Sequence, residues 1–494
     1  MFLRKNLATI KNILAENQLG FGLFLVAFFL RFYNFTAAVT FLGDQGRDAI
    51  IIKRIVTLEH FPAIGAPSSI GGIFLGPFYY YLVAPFLLLF HFNPVGPALA
   101  VALISFIGLT AFYFIVKKTT HLSIALYATA LLVFSVVQIN FSRFSWNPNL
   151  LPLFAFLTLY FFALMLKKQT IMWAIAFGSF FAFSLQLHYL AALLILPLAV
   201  VYCEILLNTT NKKLSLWKNL FFSSMAFGFF LLPLIIFELK HQFLNTQNFL
   251  QLFNSKSFIN HLSYPLRLET VLVNFFTHIF NINFTSWLAL TIFFLLIIFY
   301  LANRKTIKQN IFLNLNFLNV ILYPFGFAFL NSPHYPHYYG AVYYSFFIVV
   351  SYLAFRQKKI QLLSFASAVF LLLLFIFFNS QKYIFLKEGD NQIKKAEEIA
   401  ETILAQHPQI PYQIVALPST ETDGHIRYFL EIKGKRPMPE DTNEYVKELY
   451  VLCREANCSP DNNPQWQIAS FKNAKIDTKW FIQDFYIYKI VHGN

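Results

Sequence analysis

Long apolar runs separated by very short polar breaks fill the first three quarters of this 494-residue chain. Only 12% of the residues are charged, whereas 57% are hydrophobic and 63 are phenylalanine. A soluble core cannot hide that much apolar surface, so most of it must face lipid. The sequence therefore predicts an α-helical, polytopic membrane protein.

The net charge of +15 would suit a nucleic-acid-binding protein, but the placement of the basic residues does not. Lysines and arginines cluster in the breaks between apolar runs, at Lys117-Lys118, Lys167-Lys168, Lys212-Lys213, Arg304-Lys305 and Lys358-Lys359. Such clusters are typical of cytoplasmic loops. We therefore expect membrane lipids as partners and no nucleic acid.

Eleven spans place all of these clusters on one face of the membrane, with the amino terminus inside and the carboxyl terminus outside. The predicted spans are 18–37, 96–116, 121–140, 149–166, 170–187, 189–207, 218–237, 285–302, 311–330, 338–355 and 361–379. The run 76–92 is short and contains Pro85, which favours a helix lying in the outer interface over another span. A cleaved signal peptide is the competing interpretation of the first run. The bulky residues after Arg31 make a poor cleavage site, so we expect the run to be retained.

The composition changes abruptly after residue 380. Residues 391–406 carry apolar residues at helical spacing. Apolar or alternating segments follow at 413–418, 425–433, 445–453, 466–471 and 480–491. We predict a membrane domain at 1–380 and a small extracytoplasmic α/β domain at 381–494. Cys453 and Cys458 either form a small disulfide there or remain two thiols.

Under this topology, nearly all unusual polar residues lie on the extracytoplasmic face. The first outer loop, 38–95, carries Asp44, Arg47 and Asp48 at the start of a predicted amphipathic helix over 44–60. A carboxylate near a bilayer surface is costly unless it is solvated or functional. Later outer segments add Arg143, Asn147, Asn149, His188, Tyr189, Arg267 and His337. Headgroup contacts, an aromatic belt or a solvated histidine would explain several of these singly, but not Asp44.

The order of the short motifs on this face resembles the C-type glycosyltransferases over most of residues 1–380. The similar segments are Phe41-Leu42-Gly43-Asp44-Gln45-Gly46-Arg47, Gly76-Pro77-Phe78-Tyr79-Tyr80-Tyr81, Ser142-Arg143 and Gln186-Leu187-His188-Tyr189. The most similar branch contains the protein O-mannosyltransferases and the lipid A aminoarabinose transferases. The resemblance implies the C-type glycosyltransferase fold, a polyprenyl-phosphate-linked sugar as donor, and the first-loop acid as catalytic base.

These implications give each candidate residue a role. Asp44 is expected to be the base, and a single base without a second carboxylate nucleophile favours inversion. Donor phosphate binding is expected from Arg47, Arg143, Arg267 and His337, and substrate binding from Asp48, Asn147, Asn149, His188 and Tyr189. The enzyme would sit in the cell membrane and transfer a hexose or pentose to a protein hydroxyl, a lipid or an envelope glycan.

Two departures from the family pattern bear on cofactors. Gln45 follows Asp44 where the family often has Asp-Glu, and Asn147-Pro148-Asn149 stands where it often has an aspartate. An amide holds a divalent metal less well than a carboxylate does, so no cofactor is predicted, and a divalent metal stays an alternative that these residues do not support. The main alternative is a transporter or flippase of lipid-linked sugars. The chain shows no evident repeat and no midplane cluster of ionisable groups, which are features of transporters.

Overall fold

The computed structural model describes residues 17–68, 72–208, 213–254, 263–330, 333–356, 362–455 and 458–493. Helices make up the described chain as far as Ser380, and a four-stranded sheet with its own helices follows. The predicted fold class, a helical membrane protein with a small α/β domain after it, is confirmed.

Five helices in these ranges are long and apolar enough to cross a membrane: Val95–Thr119, Asn147–Lys168, Tyr189–Asn208, Ser286–Ile307 and Leu362–Ser380. Two further helices, Lys213–Phe230 and Leu232–Lys240, form a pair bent by 61° that could cross as one broken span. Pro233, near the start of the second, has no backbone N–H to continue the helical hydrogen bonds, which accounts for the break.

Shorter apolar helices coincide with the other five predicted spans: Gln18–Phe32, Leu122–Phe134, Ile171–Leu187, Ile311–Phe327 and Tyr343–Phe355. Each predicted span therefore contains a helix, and that all eleven cross the membrane stays a prediction. The run expected to lie in the interface forms the short helix Phe78–Leu89. The smaller helical elements of this part are Phe35–Ala38, Gly43–Val56, Val136–Phe141, Leu244–Asn254, Tyr264–Phe280, Pro336–Tyr339 and Ile384–Leu386.

Basic residues occupy the last turns of three of the long helices, at Lys117-Lys118, Lys167-Lys168 and Arg304-Lys305. Cations there complement the partial negative charge at a helix carboxyl end. The clusters at Lys212 and Lys358-Lys359 lie outside the described residues.

Between residues 238 and 284 the described chain forms two further helices, Leu244–Asn254 and Tyr264–Phe280. The second buries one face, formed by Val271, Leu272, Phe275, Phe276 and Ile279. Its other face is polar, so it lacks the continuous apolar run by which spans are recognised.

The tail, residues 381–493, contains one mixed sheet. Its elements are the helix Gln392–Leu404, β1 (Tyr412–Leu417), the helix Gly424–Ile432, β2 (Glu448–Cys453), the short helix Trp466–Ala469, β3 (Ala474–Ile482) and β4 (Phe485–His492). The strand order is β1-β2-β4-β3, with β1 and β2 parallel and the other pairs antiparallel. Cys453, at the end of β2, is joined to Cys458 by a disulfide.

The tail packs directly on the Asp44 helix, Gly43–Val56. A side-chain carbon at Gly46 would overlap the backbone of His425, at the start of the tail helix Gly424–Ile432. Farther along, Arg54 donates two hydrogen bonds to the buried Glu431 carboxylate, at 3.1 and 2.8 Å. Glycine at position 46 therefore permits a close approach, and the tail holds the helix that carries Asp44.

Candidate active site

One cavity collects most of the residues that the sequence singled out, and it is called the Asp44 cavity here. It encloses about 480 Å³ of space continuous with solvent. Its walls come from the Asp44 helix, the segment 66–68 with Leu75, the turns around Asn147 and His188, and the segment 337–338. Six predicted site residues line it: Asp44, Arg47, Asn147, His188, Tyr189 and His337.

Asp44 and Arg47 lie side by side because they are three residues apart on a helix. Arg47 donates from Nη1 to Asp44 Oδ1 at 2.9 Å. It also donates from Nε and Nη2 to Asp48 Oδ1, at 3.0 and 2.8 Å. The Asp44 side chain is 53% exposed and that of Asp48 only 1%. The guanidinium therefore bridges one accessible and one buried carboxylate.

The buried Asp48 carboxylate holds the Arg47 guanidinium in position beside Asp44. Its Oδ1 also accepts a hydrogen bond from the Tyr80 hydroxyl at 2.9 Å, whereas its Oδ2 is buried without a partner among the described residues. Burial raises the pKa of Asp48 despite the opposing effect of Arg47. Burial alone would lower the pKa of Arg47, but Asp48, Tyr80 and Asp44 together raise it above its ordinary value. Arg47 is thus a fixed cation at the cavity wall.

Two histidines far apart in the sequence pack edge to face in the cavity wall. The ring centroids of His188 and His337 are 5.6 Å apart. Burial lowers the pKa of His188 to about 4. Burial, followed by the proximity of His188 and His278, lowers the pKa of His337 to about 3. Both rings are therefore neutral at neutral pH, so His337 can offer a phosphate a hydrogen bond but no positive charge.

Asn147 and Tyr189 fix the walls in place. The Asn147 amide donates to the Leu187 carbonyl at 2.8 Å, joining two helix ends. The Tyr189 hydroxyl donates to the Phe74 carbonyl and so holds the segment 72–75. Both residues line the cavity while carrying these contacts.

Arg143 does not line the Asp44 cavity. It is fully buried, and its Nη1 and Nη2 atoms donate at 2.8 to 3.2 Å to the carbonyls of Leu30, Arg31, Tyr33 and Asn34. Carbonyls at the carboxyl end of a helix have no partner within it. Arg143 supplies those partners, and its phosphate-binding role stays a prediction.

Three other expected site residues also lie away from the cavity wall. Arg267, on the helix Tyr264–Phe280, has its guanidinium 6.0 Å from the ring centroid of Tyr264. The Asn149 amide donates to the Phe144 carbonyl at 2.9 Å within its own turn. Asp48 is 0% exposed. It contacts the cavity wall through Arg47, and its substrate-binding role stays a prediction.

Several residues that sequence reasoning left out complete the site. Trp146 and Tyr338 line the cavity and pack on His337, with ring centroids 4.6 and 4.5 Å apart respectively. The sequence gives Trp146 no distinguishing signal, because a tryptophan at the end of a span usually belongs to the aromatic belt of the membrane interface. The signal for Tyr80 was its place in the Tyr79-Tyr80-Tyr81 motif.

A metal centre has no support from the part of the chain that the structure describes. No three histidine, cysteine, aspartate or glutamate side chains converge there as a ligand set. Asp44 and Asp48 are both engaged by Arg47. That the reaction needs no metal stays a prediction.

Comparison with known proteins agrees with the architecture. Residues 75–237 match the family described as Dolichyl-phosphate-mannose-protein mannosyltransferase, about a third of the chain. The crystal structure of ArnT from Cupriavidus metallidurans bound to undecaprenyl phosphate superposes with a TM-score of 0.60 at 14% identity, covering 96% of this chain and 98% of that one. The chain has the C-type glycosyltransferase fold.

Other solved structures share this C-type glycosyltransferase fold. Apo ArnT from the same organism gives a TM-score of 0.56 at 13% identity, with 98% of both chains covered. The apo oligosaccharyltransferase of Archaeoglobus fulgidus gives 0.52 at 14% identity, covering 85% of this chain and 64% of that chain. No curated protein sequence matches the chain. The resemblance to the protein O-mannosyltransferase and ArnT branch, inferred from the short motifs, is confirmed.

Proposed function

We propose that this protein is a membrane glycosyltransferase that moves a monosaccharide from a polyprenyl-phosphate donor to an extracytoplasmic acceptor. The observation that carries the proposal is the Asp44–Arg47 pair on the wall of a polar cavity. It occurs in a fold shared with an ArnT structure that holds undecaprenyl phosphate. An accessible carboxylate and a fixed guanidinium are the two groups that sugar transfer from a lipid phosphate requires.

The reaction is a single displacement. The acceptor hydroxyl oxygen attacks the anomeric carbon and bonds to it, while the bond from that carbon to the phosphate oxygen breaks. The phosphate leaves with the bonding electron pair, and Asp44 takes the hydroxyl proton. Arg47 stabilises the charge that develops on the leaving phosphate. Because no second carboxylate nucleophile takes part, the sugar inverts its configuration.

The remaining wall of the cavity suits a neutral sugar. His188 and His337 are uncharged at neutral pH. Trp146 and Tyr338 add aromatic faces, and Asn147 adds an amide. A mostly uncharged wall with a few polar groups orients a ligand without competing for the phosphate charge. The sugar would be a hexose or pentose, and the acceptor a protein hydroxyl, a lipid or an envelope glycan.

A reconstituted transfer assay tests the function. The full-length chain in proteoliposomes, with a short-chain polyprenyl-phosphate hexose and an extract of its own cell envelope, should release free polyprenyl phosphate and label an acceptor. Omitting the extract should sharply reduce the release. A flippase would instead carry intact donor across the bilayer without releasing polyprenyl phosphate, and that outcome would overturn the proposal.

The proposal also places the tail outside the cell membrane, on the same side as the Asp44 cavity. The basic ends of Val95–Thr119 and Ser286–Ile307 support this orientation. A thiol at the exposed Asp461, introduced as Asp461→Cys with the free Cys203 replaced by serine, should react with an impermeant maleimide in intact cells. The matched thiol of Lys305→Cys should react only after lysis. The opposite pattern would reject this topology.

A further inference from the structure

A second, larger cavity opens beside the first and is called the amide cavity here. It encloses about 1120 Å³ of space continuous with solvent. Its polar lining consists of Asn140, Thr277, His278, Asn281, Asn283 and Lys382. None of these residues belongs to the site described above. Its size lies within the range of small-molecule sites, and it would hold more than one sugar ring.

Two segments of the chain contribute residues to both cavities. Segment 136–148 contributes Asn140 to the amide cavity and Trp146 to the Asp44 cavity. Segment 336–338 contributes Pro336 to the amide cavity and His337 to the Asp44 cavity. A molecule bound in the amide cavity therefore lies next to the site of sugar transfer.

The chemistry of the lining indicates what the amide cavity would bind. Asn140 Oδ1 is buried and has no hydrogen-bond partner among the described residues, so it can accept a hydrogen bond from a ligand. His278 Nε2 lies 2.7 Å from the His334 carbonyl, to which it must donate, and this leaves Nδ1 as an acceptor. Burial lowers the pKa of His278, which favours the neutral ring. Acceptors of this kind match sugar hydroxyl groups.

The charge of the cavity lining indicates the charge of the ligand that it would bind. Lys382 brings a positive charge to the described lining, and no carboxylate is found there. Beside the apolar residues of the wall, which are Val136, Val137, Ile282 and Pro336, its amides and its ammonium group favour a polyhydroxylated ligand that carries a negative charge.

We infer that the amide cavity binds the headgroup of the acceptor, a polyhydroxylated group bearing a phosphate or another anion. This inference rests on the proposed function. It assigns the Asp44 cavity to the transferred sugar and the donor phosphate. An acceptor held in the amide cavity would present one hydroxyl past segment 336–338 to Asp44.

Thiol protection tests the binding directly and does not depend on turnover. With Cys203 replaced by serine, Asn283→Cys places a reactive thiol on the exposed rim of the amide cavity. In nanodiscs of phosphatidylcholine, hexose 1-phosphate should slow maleimide labelling of this thiol several-fold. Methyl hexoside or inorganic phosphate alone should protect less. Adding Lys382→Ala should abolish the protection.

The control is Gln381→Cys, beside Lys382 but not on the cavity wall. Equal slowing there would reveal general ionic screening and overturn the assignment. Protection that disappears once phosphatidylglycerol is added would identify an ordinary lipid headgroup as the occupant, which also overturns it. Absence of protection would do the same. Protection together with a failed transfer assay would preserve the binding site and reject the proposed reaction, so the two failures are distinguishable.

Discussion

Replacing Asp44 by asparagine is expected to lower sugar transfer by ~10²-fold or more, the scale on which a positioned general base acts. The substitution keeps the size of the side chain and its place on the cavity wall but removes the group that takes the hydroxyl proton. Since the Asp44 side chain is 53% exposed, the change should leave folding nearly unaffected. Initial rates of acceptor labelling in proteoliposomes measure the effect.

Glu59→Gln is the matched control. Glu59 is an exposed acid at the end of the same outer segment, paired with Lys53, and it does not line the Asp44 cavity. Its neutralisation should leave the transfer rate close to that of the unmodified protein. Near-normal turnover by purified Asp44→Asn would show that another group takes the proton. Donor affinity should change far less than turnover in Asp44→Asn, because Arg47 remains in place.

Local periodicity made the Asp44–Arg47 pair predictable. Two residues three apart on a helix lie on adjacent faces whatever the rest of the fold does, and the predicted helix over 44–60 is present as Gly43–Val56. The burial of Asp48, the next acidic residue on this helix, was not predictable from the sequence. Asp48 is covered because Tyr80, on another helix, closes over it.

Contacts between distant segments could not be read from the sequence. His188 and His337 meet because two helix ends converge, and topology alone placed them only on a common face of the membrane. Arg143 shows the converse. Whether an arginine serves a phosphate or the open carbonyls of a helix end depends on where that end lies in three dimensions.

Glycines near the site carried a signal that the sequence alone could not interpret. Gly43 and Gly46 flank Asp44, and side chains at either position would collide with the tail at Thr422 or His425. A glycine within a helix often marks a close approach of another backbone, but the sequence does not reveal which segment approaches. Composition predicted a separate α/β tail, and only the structure shows that it packs beside the Asp44 helix.

Replacing Arg47 should have the second large effect, on use of the donor. Three of its five N–H groups are engaged by Asp44 and Asp48, which leaves two for a phosphate. Arg47→Ala should lower transfer by ~10² to 10³-fold, the usual loss when a donor to a developing oxyanion is removed. Arg47→Lys should recover only part of this, because an ammonium group cannot bridge both carboxylates and still face the phosphate.

Loss of folding would mimic loss of donor binding, so the test needs a variant that separates them. Arg47→Ala leaves the buried Asp48 carboxylate without its positive partner. Removing one partner of a buried ion pair in this way lowers the free energy of unfolding by about 3–5 kcal/mol. Combining Arg47→Ala with Asp48→Asn removes the stranded charge and should restore thermal stability in detergent. Donor binding and transfer should stay low in the double variant, because the cation is still missing. Normal donor affinity in the stable double variant would move the phosphate site away from Arg47, with Arg267 the next candidate, since Arg143 is committed to backbone carbonyls.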